Sequence, residues 1–183
     1  MRDDKLKFLK DRIVSDKLGI IMMDWEHPLM KRHAEIVCKN GGDILEIGFG
    51  MGISAQYIQE HNIDSHTIIE IHPEIAKKAR EWAKDKENVE IIEADWYDVM
   101  ENLETYDGIF YDAEHDEHKA NFYELIRPLL NDDGVYTFFN PQGDGMKNDH
   151  NIKENIRYEQ MDIDPPENPY IDSNTYYLPM VEI

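Results

Sequence analysis

The most constraining feature of the chain is the segment from Leu45 to Ser54, LEIGFGMGIS, in which glycines stand at three alternate positions, Gly48, Gly50 and Gly52. Apolar residues typical of a buried strand precede the glycines, and a helix-like run, SAQYIQEHN, follows them. A strand that bends this tightly into a helix brings its backbone against a ligand. The spacing is G-x-G-x-G and differs from the G-x-G-x-x-G of dinucleotide sites, so the loop alone leaves the ligand open.

Strand-like and helix-like runs alternate along most of the chain. Strands are predicted at GGDILEIGF, HTIIEIH, VEIIEAD, YDGIFYDA and DDGVYTFFN, with helical runs between them. The closing runs IRYEQMDID and TYYLPMVEI are joined by a loop without a helix, which indicates one antiparallel strand. We therefore predict an α/β, Rossmann-like fold, with a seven-stranded, mostly parallel sheet, helices on both faces and an antiparallel last strand.

The length of 183 residues predicts a single domain spanning residues 1–183. Residues 1–23 are predicted to form an N-terminal extension with a helix over residues 3–15. Two alternatives are open: the chain has no lid over the site, or the extension forms a short lid that uses Phe8 or Leu9. A second helix is predicted from Asp24 to Asn40, because a proline near its first turn is tolerated there.

Composition excludes several classes of partner. The formal net charge of -20 opposes binding to nucleic acid and to anionic membranes, whereas it attracts small cations. No apolar run approaches the roughly 18 residues of a membrane span, and the charged N-terminus does not resemble a signal peptide, so we expect a cytoplasmic protein. Cys38 is the only cysteine and is interpreted as a small packed residue. The expected oligomeric state is a monomer or a homodimer.

Acidic residues mark the first three strands. Glu46 lies in the strand before the glycines, Glu70 ends the second strand, and Asp95 and Trp96 close the third. A carboxylate at the end of the second strand can accept both hydrogen bonds from the hydroxyls of a ribose, while Asp95 can meet an adenine amino group and Trp96 can stack on the ring. S-adenosylmethionine has a free ribose, an adenine and a cationic sulfonium, and we predict it as the cofactor.

Four segments of the chain resemble one known family. MMDWEHPLM carries a W-E-x-P-x-M motif from Trp25 to Met30, LEIGFGMGIS and IIEIHPEI match the glycine loop and second strand, YDGIFYDA ends at Asp112, and FFN and YYLPM match the last strands. Together they resemble guanidinoacetate N-methyltransferase and the fungal arginine N-methyltransferases of the δ-nitrogen type, which are class I S-adenosylmethionine-dependent enzymes. The resemblance runs from about residue 21 to the C-terminus.

The resemblance implies two catalytic carboxylates, Glu26 and Asp112. A guanidinium is planar and cationic and presents a fork of donors, so two carboxylates can hold it, align one nitrogen with the methyl group and take up the proton. From the residues alone, the place of Asp112 at a strand end agrees, whereas Glu26 is equally well explained as an acid at a helix start.

The resemblance and the strand ends together give the other predicted site residues. The cofactor-binding residues are Trp25, Met30, Glu46, Gly48, Phe49, Gly50, Met51, Gly52, Ile53, Ser54, Glu70, Ile71, His72, Ala94, Asp95, Trp96 and Asp112. The substrate-binding residues are Glu26, Asp112, Asn140, Pro141 and Gln142.

Several functions are compatible with these residues. The first is N-methylation of a guanidino group in a small molecule such as guanidinoacetate, arginine or agmatine. A second keeps the cofactor but uses another small amine, or cyclises or cleaves the cofactor itself. A third is a non-catalytic module that binds the cofactor or a partner. No metal is expected: His115 and His118 stand among acids, but a solvated loop at a helix start explains them better.

Overall fold

The computed structural model describes residues 2–113, 118–140, 145–146, 148 and 150–183. Ten strands follow one another in these ranges: β1 (Leu6–Phe8), β2 (Arg12–Ser15), β3 (Gly19–Met23), β4 (Asp43–Ile47), β5 (Ser65–Glu70), β6 (Val89–Glu93), β7 (Tyr106–Tyr111), β8 (Leu130–Phe138), β9 (Arg157–Asp162) and β10 (Thr175–Glu182). Five α-helices lie between them: α1 (His27–Val37), α2 (Ile53–Ile58), α3 (Pro73–Ala83), α4 (Trp96–Val99) and α5 (Phe122–Ile126). Short 3-10 turns extend α1, α4 and α5, at Asp24–Glu26, Met100–Asn102, Lys119–Asn121 and Arg127–Leu129.

The central sheet has seven strands in the order β6-β5-β4-β7-β8-β10-β9. The pairs from β6 to β8 are parallel, and β10 is antiparallel to both of its neighbours. The strand order reverses at β4, so the loop after β4 lies where ligands bind in such sheets. The predicted Rossmann-like sheet and its antiparallel last strand are confirmed.

The predicted helix over residues 3–15 is wrong. The segment forms β1 and β2, which join β3 in a separate three-stranded antiparallel sheet, the N-terminal sheet (β1–β3). Leu6 and Phe8 are half-buried on either side of exposed Lys7, which is the period of a strand. The turn into β3 uses Gly19 with a φ of 79°, a left-handed conformation in which glycine is favoured. Leu9, a predicted lid residue, is 54% exposed.

Two apolar clusters cover the faces of the central sheet. One lies on the α1 side and contains Phe110 of β7, while the neighbouring Ile109 and Tyr111 point to the opposite cluster, beside α5. This alternation explains why the buried strands are apolar at nearly every position. Cys38 packs in the α1-side cluster, and burial raises the pKa of its thiol to about 12, as expected for a packed residue. None of the helices in the described ranges combines the length and apolar character that a membrane span requires.

Candidate functional site

The glycine loop between β4 and α2 turns through three left-handed residues. Gly48, Gly50 and Gly52 have φ angles of 92°, 53° and 76°, which residues with a side chain rarely adopt. A Cβ at Gly48 would also lie 2.3 Å from the carbonyl oxygen of Asp112. The loop therefore packs its bare backbone on the end of β7, the strand that carries a predicted catalytic residue.

Glu70 ends β5 and holds the glycine loop with its buried carboxylate. Its Oε2 accepts the N–H of Phe49 at 2.9 Å, and its Oε1 accepts the N–H of His72 at 2.8 Å. Burial raises the pKa of Glu70, and backbone donors from His72, Phe49 and Gly50 act in the opposite direction. A carboxylate offers about four acceptor sites, so one remains for a ribose hydroxyl. The contact of Glu70 with a ribose stays a prediction. The structure shows a second role for Glu70, which is to hold the glycine loop.

Glu46 and His66 form a fully buried pair beneath the loop. Both side chains have an exposed fraction of 0%, and His66 Nε2 lies 2.9 Å from Glu46 Oε2. The other oxygen of Glu46 accepts the hydroxyl of Ser54 in α2, and Gln59 Nε2 lies 3.4 Å from His66 Nδ1. Glu46 has no exposed surface, and its contacts connect β4 with β5 and α2. The structure therefore places Glu46 as a support beneath the glycine loop.

The N-terminal sheet packs over the glycine loop. Met22 Sδ accepts the N–H of Met51 at 3.1 Å, and a Cβ at Gly50 would lie 2.5 Å from the same sulfur. Phe49 packs on Trp82 of α3, with 5.5 Å between ring centroids. Three side chains of the N-terminal sheet complete this apolar cluster: Leu6, Phe8 and Ile21. The loop is thus enclosed between the central sheet and the first residues of the chain.

The end of β6 lies at the same edge as Glu70, because β6 pairs with β5. Asp95 begins α4, and its Oδ1 accepts the N–H of Tyr97 at 3.0 Å. Trp96 is 4% exposed and packs edge-to-face on Phe122, with 4.6 Å between centroids. The structure therefore places Trp96 in the core beside α5. Contacts of Asp95 and Trp96 with an adenine stay predictions.

The remaining predicted cofactor residues are mostly buried near the loop. Met30 is fully buried in the α1-side cluster, which also contains Ile53 and Met22. His72 begins α3, and its Nε2 lies 2.9 Å from the backbone oxygen of Asp4. Ile71 and Ala94 are half-buried at the ends of β5 and β6.

Glu26 is the last residue of the 3-10 turn that leads into α1, and it is 3% exposed. Its Oε1 accepts the N–H of Met23 at 2.7 Å and the hydroxyl of Tyr170 at 2.6 Å. Within the described part of the chain, Oε2 takes part in no hydrogen bond. Burial raises the pKa of Glu26 to about 7, against the lowering effect of these two donors. A carboxyl group with a pKa near neutrality is suited to accept a proton.

Asp112 follows β7 and is half-buried, and its backbone N–H bonds to the oxygen of Ile47 at 2.8 Å. It belongs to the same neighbourhood as Glu26. Burial first, and then the charges of Glu26 and Asp112, raise the pKa of the Tyr170 hydroxyl. Asp112 thus lies within electrostatic range of the hydroxyl that bonds to Glu26.

Three aromatic rings surround this group of polar side chains. Tyr170 is nearly parallel to Trp25, with 6.4 Å between centroids and 20° between ring planes. Phe139 meets Tyr170 at 75° and 6.3 Å. Trp25 Nε1 is buried, and a hydrogen bond from the Trp25 side chain lowers the pKa of the Tyr170 hydroxyl, against the larger effect of burial.

A buried hydrogen-bond chain connects α1 to the end of β8. The Thr137 hydroxyl donates to the oxygen of Pro179 at 2.7 Å, so it accepts from His33 Nδ1, which lies at 2.8 Å. His33 Nε2 then accepts the Tyr176 hydroxyl at 3.1 Å, and Tyr176 accepts the N–H of Asn140 at 2.8 Å. Burial lowers the pKa of His33 to about 3, which keeps the ring neutral as this order requires. The chain fixes α1 relative to Asn140.

Asn140 is the only one of the three predicted residues after β8 that lies within the described ranges. Its Nδ2 donates to the oxygens of Gly145 and Tyr177, whereas its Oδ1 is buried without a partner among the described residues. Pro141 and Gln142 lie outside the described residues, as does His115.

Sequence reasoning missed Tyr170, Met22 and His33. Tyr170 lies in the loop that joins IRYEQMDID and TYYLPMVEI, for which the sequence predicts only a connection without a helix. His33 lies four residues after Leu29 and four before Val37, on the buried face of α1. An aromatic residue in an otherwise polar loop and a histidine on an apolar helix face were the available signals.

Sequence comparisons show the family of the chain. Residues 12–162 match the profile of a family described as guanidinoacetate N-methyltransferase. The chain is 40% identical over 154 residues to a protein from Candida glabrata named protein arginine N-methyltransferase 2, covering 76% of the chain and 37% of that relative. It is 33% identical over 175 residues to the protein of the same name from Saccharomyces cerevisiae, covering 87% of the chain and 41% of the relative. The chain thus spans about two fifths of these relatives.

Solved structures of low identity show the same fold. Spermidine synthase from Thermotoga maritima superposes with a TM-score of 0.68 at 14% identity, covering 97% of this chain and 72% of that one. A precorrin-6y C5,15-methyltransferase from Geobacter metallireducens superposes with a TM-score of 0.63 at 14% identity, covering 98% and 95%.

Proposed function

The chain belongs to the guanidinoacetate N-methyltransferase family, and we propose on that premise that it transfers a methyl group from S-adenosylmethionine to a guanidino nitrogen. The proposed acceptor is a small cationic molecule such as guanidinoacetate, arginine or agmatine. The observation that carries the proposal is the buried carboxylate of Glu26. It accepts the Tyr170 hydroxyl, which the charge of Asp112 also affects, and it has one oxygen without a partner among the described residues.

The residues at the edge of the sheet fit S-adenosylmethionine. The glycine loop exposes backbone without Cβ atoms, and the buried Glu70 retains an acceptor site for a ribose hydroxyl. We propose that these residues and Asp95 hold the cofactor, with Glu46 supporting the loop. When bound, the cofactor supplies a methyl group activated by a positively charged sulfur.

The two carboxylates supply the chemistry of the acceptor. A guanidinium is protonated in water and is then a poor nucleophile. Glu26 and Asp112 bind its N–H groups and orient one nitrogen. Oε2 of Glu26 takes up the proton that this nitrogen loses on methylation. The pKa of about 7 suits Glu26 to this step.

The depth of Glu26 favours a small acceptor. Its carboxylate is 3% exposed, and the rings of Trp25, Tyr170 and Phe139 lie around it. Aromatic faces attract a delocalised cation. Because the relatives are named protein arginine N-methyltransferase 2, the test must also include an arginine within a peptide as an acceptor.

Mass spectrometry after incubation with S-adenosylmethionine tests the proposal. The acceptor panel contains guanidinoacetate, arginine, agmatine, an arginine peptide and simple amines. We expect a product one methyl heavier from a small guanidino compound. Glu26→Gln and Asp112→Asn are each expected to lower kcat by about 10²-fold or more, and Glu26→Gln should leave cofactor affinity within twofold. Glu101→Gln, at an exposed residue away from the site, is the matched control.

The other outcomes distinguish the alternatives. Methylation of the peptide alone would overturn the small acceptor but keep the guanidino chemistry. Methylation of amines only, or cleavage of the cofactor without an acceptor, would contradict the guanidino function. Tight cofactor binding without turnover would support a non-catalytic module. Near-normal turnover in Asp112→Asn would remove that residue from the mechanism.

We also propose that residues 1–183 act as one domain in the cytoplasm, as a monomer or homodimer, with residues 1–23 covering the glycine loop. The contacts of Met22 and Phe8 with the loop region support the covering role. Size-exclusion chromatography with light scattering measures the oligomeric state.

A further inference from the structure

Tyr170 lies in the loop between β9 and β10, far along the chain from Glu26, which its hydroxyl contacts at 2.6 Å. None of the sequence motifs assigned it a role. Its ring is half-buried between Trp25 and Phe139, so the side chain is fixed at both ends. A loop side chain held in this way has a defined position relative to the carboxylate.

Asn168 builds the turn that presents Tyr170. Its Oδ1 accepts the N–H groups of Tyr170 at 3.0 Å and Ile171 at 2.7 Å. Its Nδ2 donates to the backbone oxygens of Pro166 and Ile171, each at 2.8 Å. An asparagine side chain that bonds to the backbone two and three residues ahead stabilises a turn without regular secondary structure. The conformation of the loop is therefore specified locally.

The hydrogen bonds of Glu26 are distributed unevenly. Both described donors, Met23 N–H and the Tyr170 hydroxyl, bond to Oε1, and none of the described residues bonds to Oε2. Two donors on one oxygen fix the plane of the carboxylate. The second oxygen has no donor among the described residues and can accept an N–H group of a bound molecule.

We propose that Tyr170 is a positioning residue that holds Oε1 of Glu26 so that Oε2 receives an N–H group of the cationic acceptor. This inference rests on the proposed function and extends it to a residue on the loop between the last two strands. The hydroxyl acts through Glu26, and the ring forms part of the wall around the acceptor. Loss of the hydroxyl alone therefore affects the carboxylate while the wall remains.

Among the described residues, three ionisable groups from different elements lie within electrostatic range of the Tyr170 hydroxyl. Glu26 comes from the start of α1, Asp112 from the end of β7, and Arg12 from β2 in the N-terminal sheet. Arg12 is already paired with Asp11 through its Nε and Nη2. Removal of the Tyr170 hydroxyl leaves these charges in place, so a change in the titration of Glu26 is attributable to the lost hydrogen bond.

Tyr170→Phe is the decisive variant, because it keeps the ring and removes the hydroxyl. In the cofactor-free protein, NMR of ¹³C-labelled glutamate carboxyls is expected to show the pKa of Glu26 raised by about one unit, as expected for one lost hydrogen bond to a charged group. The acidic limb of the pH profile of kcat/KM should move to higher pH by the same amount. The acceptor KM should rise about tenfold at neutral pH and recover in part at pH 9.

Tyr123→Phe is the matched control. Tyr123 lies in the cluster on the opposite face of the sheet, where its hydroxyl is near Glu154 and Arg127. This variant should leave both the titration of Glu26 and the acceptor KM unchanged. Asn168→Ala provides a second test, because it loosens the turn but keeps the Tyr170 hydroxyl. This variant should raise the pKa of Glu26, as Tyr170→Phe does.

An unchanged titration of Glu26 in Tyr170→Phe would overturn the inference. So would an activity loss that is equal at every pH with an unchanged acceptor KM. Failure of the proposed function has a different signature, because the wild-type protein would then methylate no guanidino compound. The NMR titration needs neither cofactor nor turnover and still decides whether Tyr170 holds Glu26.

Discussion

The sulfur of Met22 accepts the backbone N–H of Met51 at 3.1 Å, so a residue of β3 holds the glycine loop from outside the central sheet. The next residue, Met23, donates its own N–H to Glu26. Two consecutive residues of the N-terminal sheet thus connect the predicted cofactor loop with the predicted catalytic carboxylate. A change in the docking of this sheet is expected to affect both.

Met22→Ala tests the docking. Met22 is 5% exposed, and truncation of a buried methionine leaves a cavity, so we expect a loss of about 2–5 kcal/mol in the free energy of unfolding. Calorimetry should also show weaker cofactor binding. Met22→Leu keeps the volume without the sulfur and should cost less than about 1.5 kcal/mol. Urea denaturation measures both, and wild-type stability in Met22→Ala would contradict the packing.

Gly48→Ala separates steric overlap from backbone strain. The new Cβ would lie 2.3 Å from the oxygen of Asp112, and this backbone atom cannot move without displacing the end of β7. Gly19→Ala is the matched control, because Gly19 has a φ of 79° with nothing within 4 Å of the new Cβ. The control should lose about 1–2 kcal/mol of stability, and Gly48→Ala should lose more, together with methyl transfer. Equal losses in thermal denaturation would refute the close approach.

Glu70→Ala removes the acceptor of the Phe49 and His72 N–H groups. The loop then loses its anchor, and a ribose loses a carboxylate partner. We expect cofactor binding to weaken by about 1.5–3 kcal/mol, as for lost hydrogen bonds to a charged group. Calorimetric titration with S-adenosylmethionine measures this. Glu70→Gln, which keeps one acceptor oxygen, should lose less, and an unchanged affinity in both variants would remove Glu70 from the cofactor site.

The buried Glu26 should make stability depend on pH. The pKa of Glu26 is about 7 in the folded protein, whereas an exposed glutamate in the unfolded chain has a pKa of 4.5. The folded state therefore binds the proton more tightly. The stabilisation is complete below about pH 4.5 and is lost as the pH rises through 7, a change of about 3 kcal/mol. The side chain of Glu26→Gln stays neutral at every pH. The stability advantage of this variant over the wild-type protein should therefore grow from about pH 4.5 upward and reach about that amount by pH 8. Urea denaturation at several pH values checks this.

Glu101→Gln serves again as the control for the pH series, since it replaces an exposed carboxylate. Its stability should follow that of the wild-type protein throughout. Parallel curves for Glu26→Gln and the wild-type protein would show that Glu26 is not buried as described.

The central sheet was predictable because its signals are local and repeated. Apolar strands with punctuating turns, helices between them and a glycine loop after the first strand of the sheet all indicate the same architecture. The N-terminal sheet was not predictable in this way. Leu6, Leu9 and Ile13 also fit the spacing of a helix, and the strand form wins because Leu6 and Phe8 pack together against Phe49. Phe49 lies about forty residues after Leu6 and Phe8 in the sequence, so this contact leaves no local pattern.

The site was predictable only where a motif carried it. Glu26 and Asp112 came from recognisable segments, and the structure brings them to one neighbourhood. Tyr170 stands in a loop whose sequence predicts a turn but not what the turn faces. Its partner is 144 positions away, and only the folded chain reveals the contact.

The N-terminal sheet has a consequence for the order of folding. During synthesis it emerges before Phe49 and Trp82, and a few short strands depend on packing against another element. It can therefore dock only after the glycine loop and α3 have formed. Its detachment from the finished protein disturbs the cluster around Phe49 and removes Met22 from the α1-side cluster, whereas the cluster on the opposite face of the central sheet stays intact. Amide hydrogens of β1 to β3 are thus expected to exchange with solvent by a partial opening, well before those of β4 and β7. The N-terminal sheet is thus expected to be synthesised before the glycine loop that it covers and to dock after that loop has formed.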